Sequence, residues 1–328
     1  MRVFITGSSG FIGSHLVEAL HAKGYTLRCL VRRTSNLSWI KHLPIEYVYG
    51  DLFDQELLQQ AVRDIDIVYH LAGITKARTA EEYFQGNQVA TRNLLNAVID
   101  SRSAIKKFVH VSSQTVVGPS LHGAPVDESV PFHPITTYGR SKMEAELECL
   151  RVQEKIPITI VRAPAVYGPR DKDVFEFFKA MSRGLQPMIG FNNKSVSLVH
   201  AKDLVDGMIL AGENEKSAGQ TYFVASERYY NWKEVGEVTA RIMEKKFVLR
   251  LRIPEFLVYA IAGVSQFVGA IQRKPVVLNI EKARDIVQDA WTCSIAKAKR
   301  DLGYTESFTL EEGIRNTVHW YRQQGWIK

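Results

Sequence analysis

Met1-Arg2-Val3-Phe4-Ile5-Thr6-Gly7-Ser8-Ser9-Gly10-Phe11-Ile12-Gly13 opens the chain, and its reading decides the fold. Val3 to Ile5 is a short apolar run of strand type, three glycines follow at once, and Ser14 to Lys23 carries apolar residues at helical spacing. A strand that breaks into a glycine turn and continues as a helix aims backbone N–H groups and the positive helix end at one point, where a pyrophosphate is held. Glycine is required where the chain turns sharply and where a Cβ would keep the backbone away from phosphate. Gly7, Ser9, Gly10, Phe11, Ile12 and Gly13 are therefore assigned to a dinucleotide site.

The alternation begun there continues. Thr26 to Val31, Glu46 to Tyr49, Ile67 to Leu71, Phe108 to Val111 and Ile158 to Val161 read as strands, with helices over His15 to Lys23, Gln55 to Val62, Val89 to Ser101 and Gly139 to Gln153. Strand-helix alternation predicts an α/β fold, a Rossmann doubly wound parallel sheet with its ligand at the carboxyl ends of the strands. After Pro169 the rhythm breaks: Asp171 to Lys194 and Tyr229 onward read mainly as helices, with Gln220 to Ala225 as a further strand. The expected division is a dinucleotide-binding domain over 1–170 plus about 196–225, and a small, mainly helical substrate lobe over 171–195 and 226–328.

With 45% hydrophobic and 23% charged residues the composition is that of a globular chain, which excludes disorder. The net charge of +7 is dispersed. Its densest run, Lys245, Lys246, Arg250 and Arg252, is interrupted by Phe247, Val248, Leu249 and Leu251 and reads as an amphipathic edge element, so no nucleic-acid partner is expected. Cys29, Cys149 and Cys293 form no close pair and have no histidine at ligand spacing, which implies a reduced, cytoplasmic setting and no metal. The N-terminal apolar run is too short for a signal peptide. Phe256 to Ile271 is the most apolar stretch but is short of a span and reads as a buried or lid helix; a place at a membrane surface between Arg252 and Arg273 is the less favoured reading.

About twenty residues beyond such a glycine loop, an acidic side chain would bond the ribose 2′-hydroxyl of NAD, and a basic one would take the 2′-phosphate of NADP. Here the second strand ends in Val31-Arg32-Arg33. Arg32 and Arg33 favour NADP over NAD, although either guanidinium could instead stack on the adenine.

Tyr138-Gly139-Arg140-Ser141-Lys142 sets a phenol and an ammonium at i and i+4, one turn apart on a helix face. Using a phenol as a base near neutrality requires lowering its pKa by about 3 units, roughly 4 kcal/mol. A neighbouring Lys142 ammonium and a cationic nicotinamide are expected to push that way. Such a pair is common on helix surfaces, and what gives it meaning is the strand Phe108-Val109-His110-Val111-Ser112-Ser113 before it.

With the glycine loop, Asp51-Leu52, His70-Leu71-Ala72-Gly73, Asn87 and Arg162-Ala163-Pro164-Ala165-Val166-Tyr167-Gly168-Pro169, the chain resembles the extended short-chain dehydrogenase/reductase family, which includes the NAD-dependent epimerases and dehydratases. The resemblance implies an NAD(P)-dependent enzyme, a homodimer, with Asp51 and Leu52 near the adenine and Leu71, Ala72 and Gly73 along the ribose and pyrophosphate. Pro164 to Val166 would hold the nicotinamide carboxamide. It further implies Ser113, Tyr138 and Lys142 as the catalytic set: Ser113 on the substrate oxygen, Tyr138 as proton shuttle and Lys142 on the nicotinamide ribose. His110 and His200 are assigned structural roles.

Departures from the family pattern narrow the reaction. Dehydratases carry an Asp-Glu pair where this chain has Gln114 and Thr115, which argues against elimination of water. Asn193-Lys194-Ser195-Val196-Ser197 lacks the Arg with which nucleotide-sugar enzymes contact their nucleotide. The stretch Asp289-Ala290-Trp291-Thr292-Cys293-Ser294-Ile295-Ala296-Lys297-Ala298-Lys299 with Leu302-Gly303-Tyr304 is similar to the hydroxysteroid dehydrogenase and dihydroflavonol reductase branch. The expected function is interconversion of a secondary alcohol and a ketone on an apolar or ring-bearing small molecule. The alternatives are a nucleotide-sugar epimerase and a dinucleotide-sensing regulator without catalysis.

Overall fold

Period-two alternation along Val3, Phe4 and Ile5 sends side chains to opposite faces of a sheet. Val3 and Ile5 join Leu27, Cys29, Tyr69 and Val109 against Leu16, Val17 and Leu20 of the first helix, Phe11–Ala22. Phe4 points the other way, with Leu30, Val68 and Phe108, against Leu94, Leu95 and Val98 of the helix Ala90–Asp100. A sheet covered on both faces must be apolar on both, which is why these strands read as continuous hydrophobic runs.

The computed structural model describes residues 1–121, 123–272, 276 and 278–328. Seven strands form one parallel sheet: β1 (Arg2–Thr6), β2 (Thr26–Val31), β3 (Glu46–Tyr49), β4 (Ile67–His70), β5 (Lys107–Ser113), β6 (Ile158–Ala163) and β7 (Gln220–Phe223). Their order is β7-β6-β5-β4-β1-β2-β3. The chain winds from β1 to one edge, crosses back to β4 and winds to the other, so the ends of β1 and β4 flank the crevice where a ligand enters such a sheet. Register fixes what meets there: Thr6 lies opposite Leu30 and His70, and Ser113 opposite Ala163. The expected fold class holds, and strand positions agree to within two residues at either end.

Three expectations need correction. A short helix, Ala80–Phe84, and a wide turn of π-helix, Gln85–Val89, precede Ala90–Asp100, so the helical run starts well before Val89. The C-terminal half carries more strand than its pattern suggested. Leu185–Ile189 lies inside the stretch read as helical and pairs in parallel with Leu249–Ile253, where Leu249, Leu251 and Ile253 alternate with Arg250 and Arg252. Ser195–Val196 pairs with Tyr230–Asn231 and with Ala290–Trp291. These segments and the helices Phe175–Ser182, Trp232–Ile242 and Leu310–Gln323 share a separate apolar core that includes Tyr167, Phe178, Tyr230, Ile314 and Tyr321.

The third correction concerns the apolar stretch. It forms one helix, Glu255–Gln272, with only Val258, Ala262 and Gly269 buried along it. It is not a buried helix, because its packed stripe is small residues facing the short helix Ile280–Ile286 and most of its bulk faces outward. Arg273 lies outside the described residues.

Candidate active site

At the end of β1, Gly7 adopts a φ of +73°, and its carbonyl accepts the Gly10 N–H at 3.0 Å. A Cβ on Gly7 would stand 2.7 Å from the Ala72 nitrogen and 2.8 Å from the Leu71 carbonyl carbon, and one on Gly13 would strike the Gly7 carbonyl oxygen. The turn is thus pressed against Leu71 and Ala72 at the end of β4, with no room for a side chain. The helix behind it has no side-chain cap at Gly10 and no acidic residue in its first turn. Its first N–H groups are left for an anion. That is the cradle a pyrophosphate fits.

Arg32 and Arg33 stand exposed just past β2, beside this turn. Among the described residues neither pairs with a carboxylate, and Arg33 lies over the Tyr49 ring at 6.0 Å. Asp51, exposed after β3, accepts the Phe53 N–H at 2.8 Å, which fixes the turn that follows and buries Leu52. Gly73 abuts Asn87, which accepts the Ile74 N–H at 2.8 Å and donates to the Ile74 carbonyl at 3.1 Å. Pro164 and Val166, half-buried, follow β6 next to the end of β5.

The helix Thr137–Arg151 begins where Thr136 accepts the Gly139 N–H at 3.0 Å, so Tyr138 sits in its first turn. Asn87 donates to the Ser141 hydroxyl at 2.8 Å, which in turn donates to the Tyr138 carbonyl at 2.8 Å. One turn on, the Lys142 ammonium is buried and donates to the Val111 carbonyl of β5 at 2.8 Å. Ser113 ends that strand, its hydroxyl close enough to Tyr138 to stabilise a phenolate. Ser113, Tyr138 and Lys142 therefore converge at the end of β5, which β4 alone separates from the strand that ends in the glycine turn.

Burial pushes the Tyr138 phenol up to about 12, with Asp285, Tyr83 and Asp173 adding to the rise and only Ser113 opposing it. The Lys142 ammonium is turned to the Val111 carbonyl, and the expected lowering calls for a cationic nicotinamide as well. Burial also draws Lys142 down to about 8, against which Glu146, a turn further on, acts upward. At neutrality Tyr138 carries its proton and Lys142 is mostly charged. The phenol is in the form that donates.

Two carboxylates that sequence reasoning missed shape this helix. Glu146 accepts from Arg162 at 3.1 and 2.7 Å, both side chains buried. Glu281, on Ile280–Ile286, accepts the Thr137 N–H at 3.0 Å and the Thr137 hydroxyl at 2.7 Å, so the C-terminal part grips the residue before Tyr138. Glu281 lies 144 residues away in sequence and no local motif announces it. His110 and His200 are buried and held well below the ordinary histidine range by desolvation. Neither can serve as a proton carrier near neutrality.

Of the cations that could receive a substrate phosphate, Lys172 is exposed and has no carboxylate partner among the described residues, and the others are engaged. Arg170 donates to Ser14 at 3.0 Å and to Glu18 at 2.6 Å, and Lys179 pairs with Glu176 at 3.3 Å. Lys194 is buried against Glu255, Asp289 and the Val287 carbonyl. In the place of an acidic pair, Gln114 is buried and donates to the Thr292 carbonyl at 3.2 Å.

A family model described as NAD dependent epimerase/dehydratase family matches residues 3–225. A protein named ceramide reductase from Caulobacter vibrioides is 29% identical over 99% of this chain and 96% of its own length. A 3-beta-hydroxysteroid dehydrogenase from Mycolicibacterium neoaurum is 28% identical over 98% of this chain and 91% of its own. Among solved structures, the UDP-glucuronic acid 4-epimerase of Bacillus cereus superposes with a TM-score of 0.78, covering 99% of this chain and 100% of its own at 23% identity, a likeness of fold.

Proposed function

The chain belongs to the NAD dependent epimerase/dehydratase family and is an oxidoreductase of it, and on that premise we propose that it is an NADP-dependent reductase or dehydrogenase interconverting a ketone and a secondary alcohol on an apolar or ring-bearing substrate. The observation that carries this reading is the convergence of Ser113, Tyr138 and Lys142 at the end of β5, beside a glycine turn too tight for side chains.

The bound dinucleotide supplies or takes up the hydride. Ser113 holds the substrate oxygen by a hydrogen bond. Tyr138, protonated at neutrality, donates its phenolic proton to that oxygen as carbonyl becomes hydroxyl, and in the reverse direction takes it back. Lys142, its ammonium turning from the Val111 carbonyl to the bound dinucleotide, would hold the nicotinamide ribose. The helix cap at Thr136 and the Asn87–Ser141 bonds keep Tyr138 in place while this happens.

Arg32 and Arg33, unpaired with carboxylates among the described residues, support NADP as the cofactor. With Arg170, Lys179 and Lys194 engaged, a single exposed cation of this group, Lys172, is left for a sugar diphosphate, and Gln114 with Thr115 cannot eliminate water. The relatives' names, a ceramide reductase and a hydroxysteroid dehydrogenase, point to the same apolar class.

The test is NADPH oxidation with a panel of long-chain and ring-bearing ketones, followed by Tyr138→Phe. Turnover should fall by a factor of about 10² or more with NADPH affinity unchanged. Retention of more than about a tenth of the rate, a loss below roughly 1.4 kcal/mol, would refute the proton-transfer assignment. Saturable turnover of a UDP-sugar without net NADPH consumption would replace it with epimerisation.

A further inference from the structure

We propose that the helix Glu255–Gln272 is a membrane-docking element that lies in the headgroup region of an anionic bilayer. From Phe256 to Gln272 it contains no charged residue. Phe256, Val264, Phe267 and Ile271 are 73, 66, 66 and 68% exposed. At about 100° per residue these four fall within an arc of about 80°, centred opposite the packed stripe Val258, Ala262 and Gly269. A surface helix of a water-soluble protein turns its apolar side to the core and its polar side out. This helix is apolar on both. Large side chains face outward and only small ones face the protein, so its outward face needs an apolar medium.

The surroundings extend that face and give it a charge. Leu249 and Leu251, on the strand leading into the helix, are 50 and 48% exposed, and Phe247 is 76% exposed. Between Glu244 and Glu255 the sequence carries Lys245, Lys246, Arg250 and Arg252, four positive charges against two negative. Arg252 lies over the exposed Phe191 ring at 5.9 Å, an aromatic and a guanidinium side by side at the helix entry, and Arg250 is bonded to Glu237. Exposed aromatic and basic side chains flanking an apolar helix match the boundary between acyl chains and anionic headgroups.

The helix lies along the surface and does not cross. Lys194 ties Glu255 at its start, and the packed stripe continues to Gly269 near its end, so both ends stay with the protein. A second copy of this chain is a poorer occupant. In a two-fold contact the basic flanks of both copies would border one apolar patch and repel, whereas an anionic surface would neutralise them. Docking would set the site close to the bilayer: the helix packs on Ile280–Ile286, and Glu281 of that helix holds Thr137 beside Tyr138. The inference takes up the reading that the sequence placed second, a helix at a membrane surface. It rests on the helix face and not on the substrate reading, so vesicle binding without substrate tests it separately.

The experiment is sedimentation of the full chain with vesicles of phosphatidylcholine, with and without phosphatidylglycerol. Binding is expected to both and to be stronger with the anionic lipid, the difference shrinking as salt is raised. Val264→Gln/Phe267→Gln/Ile271→Gln should weaken vesicle binding by a factor of about a hundred, three side chains losing their transfer out of water, while NADPH affinity and melting temperature stay near wild type. Arg250→Gln/Arg252→Gln, which leaves the apolar face intact, should lose the preference for anionic lipid and keep the rest. The proposal is overturned if the wild-type chain stays in solution with both vesicles. It is also overturned if analytical ultracentrifugation shows a dimer that the triple variant abolishes while vesicle binding is absent, which would make the face a contact between copies.

Discussion

Replacing Glu146 with Leu removes the partner of a guanidinium that has no route to water. The side chains of Arg162 and Glu146 are 6 and 1% exposed, and bonds of 3.1 and 2.7 Å join them. The rest of the guanidinium's surroundings are ring faces, Phe132 at 5.4 Å and Phe223 at 5.6 Å. Arg162 Nη1 already has no hydrogen-bond partner among the described residues, so no spare acceptor is at hand. Breaking a buried pair from one side costs about 3–5 kcal/mol, because the remaining charge stays in a low dielectric. For a 328-residue chain unfolding as one unit, with about 2.1 cal/mol/K of entropy per residue, that is a fall of about 4 to 7 °C in Tm. Thermal denaturation followed by circular dichroism measures the fall in Tm, and urea denaturation the free energy. Glu146→Leu/Arg162→Met, which removes both charges, should recover most of the loss. A single variant within about 1 kcal/mol of wild type, or a double variant as unstable as the single, would show that the pair does not act as a desolvated couple. Activity carries a second signature. Glu146 is the group acting most to hold Lys142 up against burial, so its loss should move the alkaline limb of the pH–rate profile to lower pH.

NADPH should bind more tightly than NADH, and Arg32→Ala/Arg33→Ala should remove most of a difference of about 1.5–3 kcal/mol, the worth of a charge-assisted contact with the 2′-phosphate; equal wild-type affinities by fluorescence titration would refute this. Lys142, drawn down to about 8 from an ordinary 10.5, gives stability a pH dependence of its own. Below about 8 both folded and unfolded chains hold the proton, and between there and 10.5 the unfolded chain holds more. Its contribution to the unfolding free energy therefore rises with pH across that window and levels off above it. Lys142→Met should flatten that rise in denaturation curves collected across the window, and identical slopes in the two proteins would contradict a buried ammonium.

Local chemistry made much of this protein legible in its sequence. A strand, three glycines and a helix can be recognised together because the constraint is among neighbours: Gly7 must take a φ of +73°, and a side chain on Gly13 would strike the Gly7 carbonyl. The same holds for Tyr138 and Lys142, which one helical turn places on a common face, and for the alternating strands whose two-sided burial leaves continuous apolar runs. What the tertiary structure alone decided involves partners far apart in the chain. Glu281 reaches Thr137 across 144 residues, and Arg162 finds Glu146 only because β6 and the helix before it pack face to face. Burial pushes the Tyr138 phenol up to about 12, because desolvation depends on everything packed around the ring, whereas the lowering expected from Lys142 and a cationic nicotinamide belongs to the cofactor-bound site. The helix Glu255–Gln272 shows the difference most plainly. Its composition is equally apt for a core or a bilayer surface, and which face meets protein is set by the small residues Val258, Ala262 and Gly269 finding Ile280–Ile286. Hydrophobicity is a property of the residue, whereas exposure is a property of the fold.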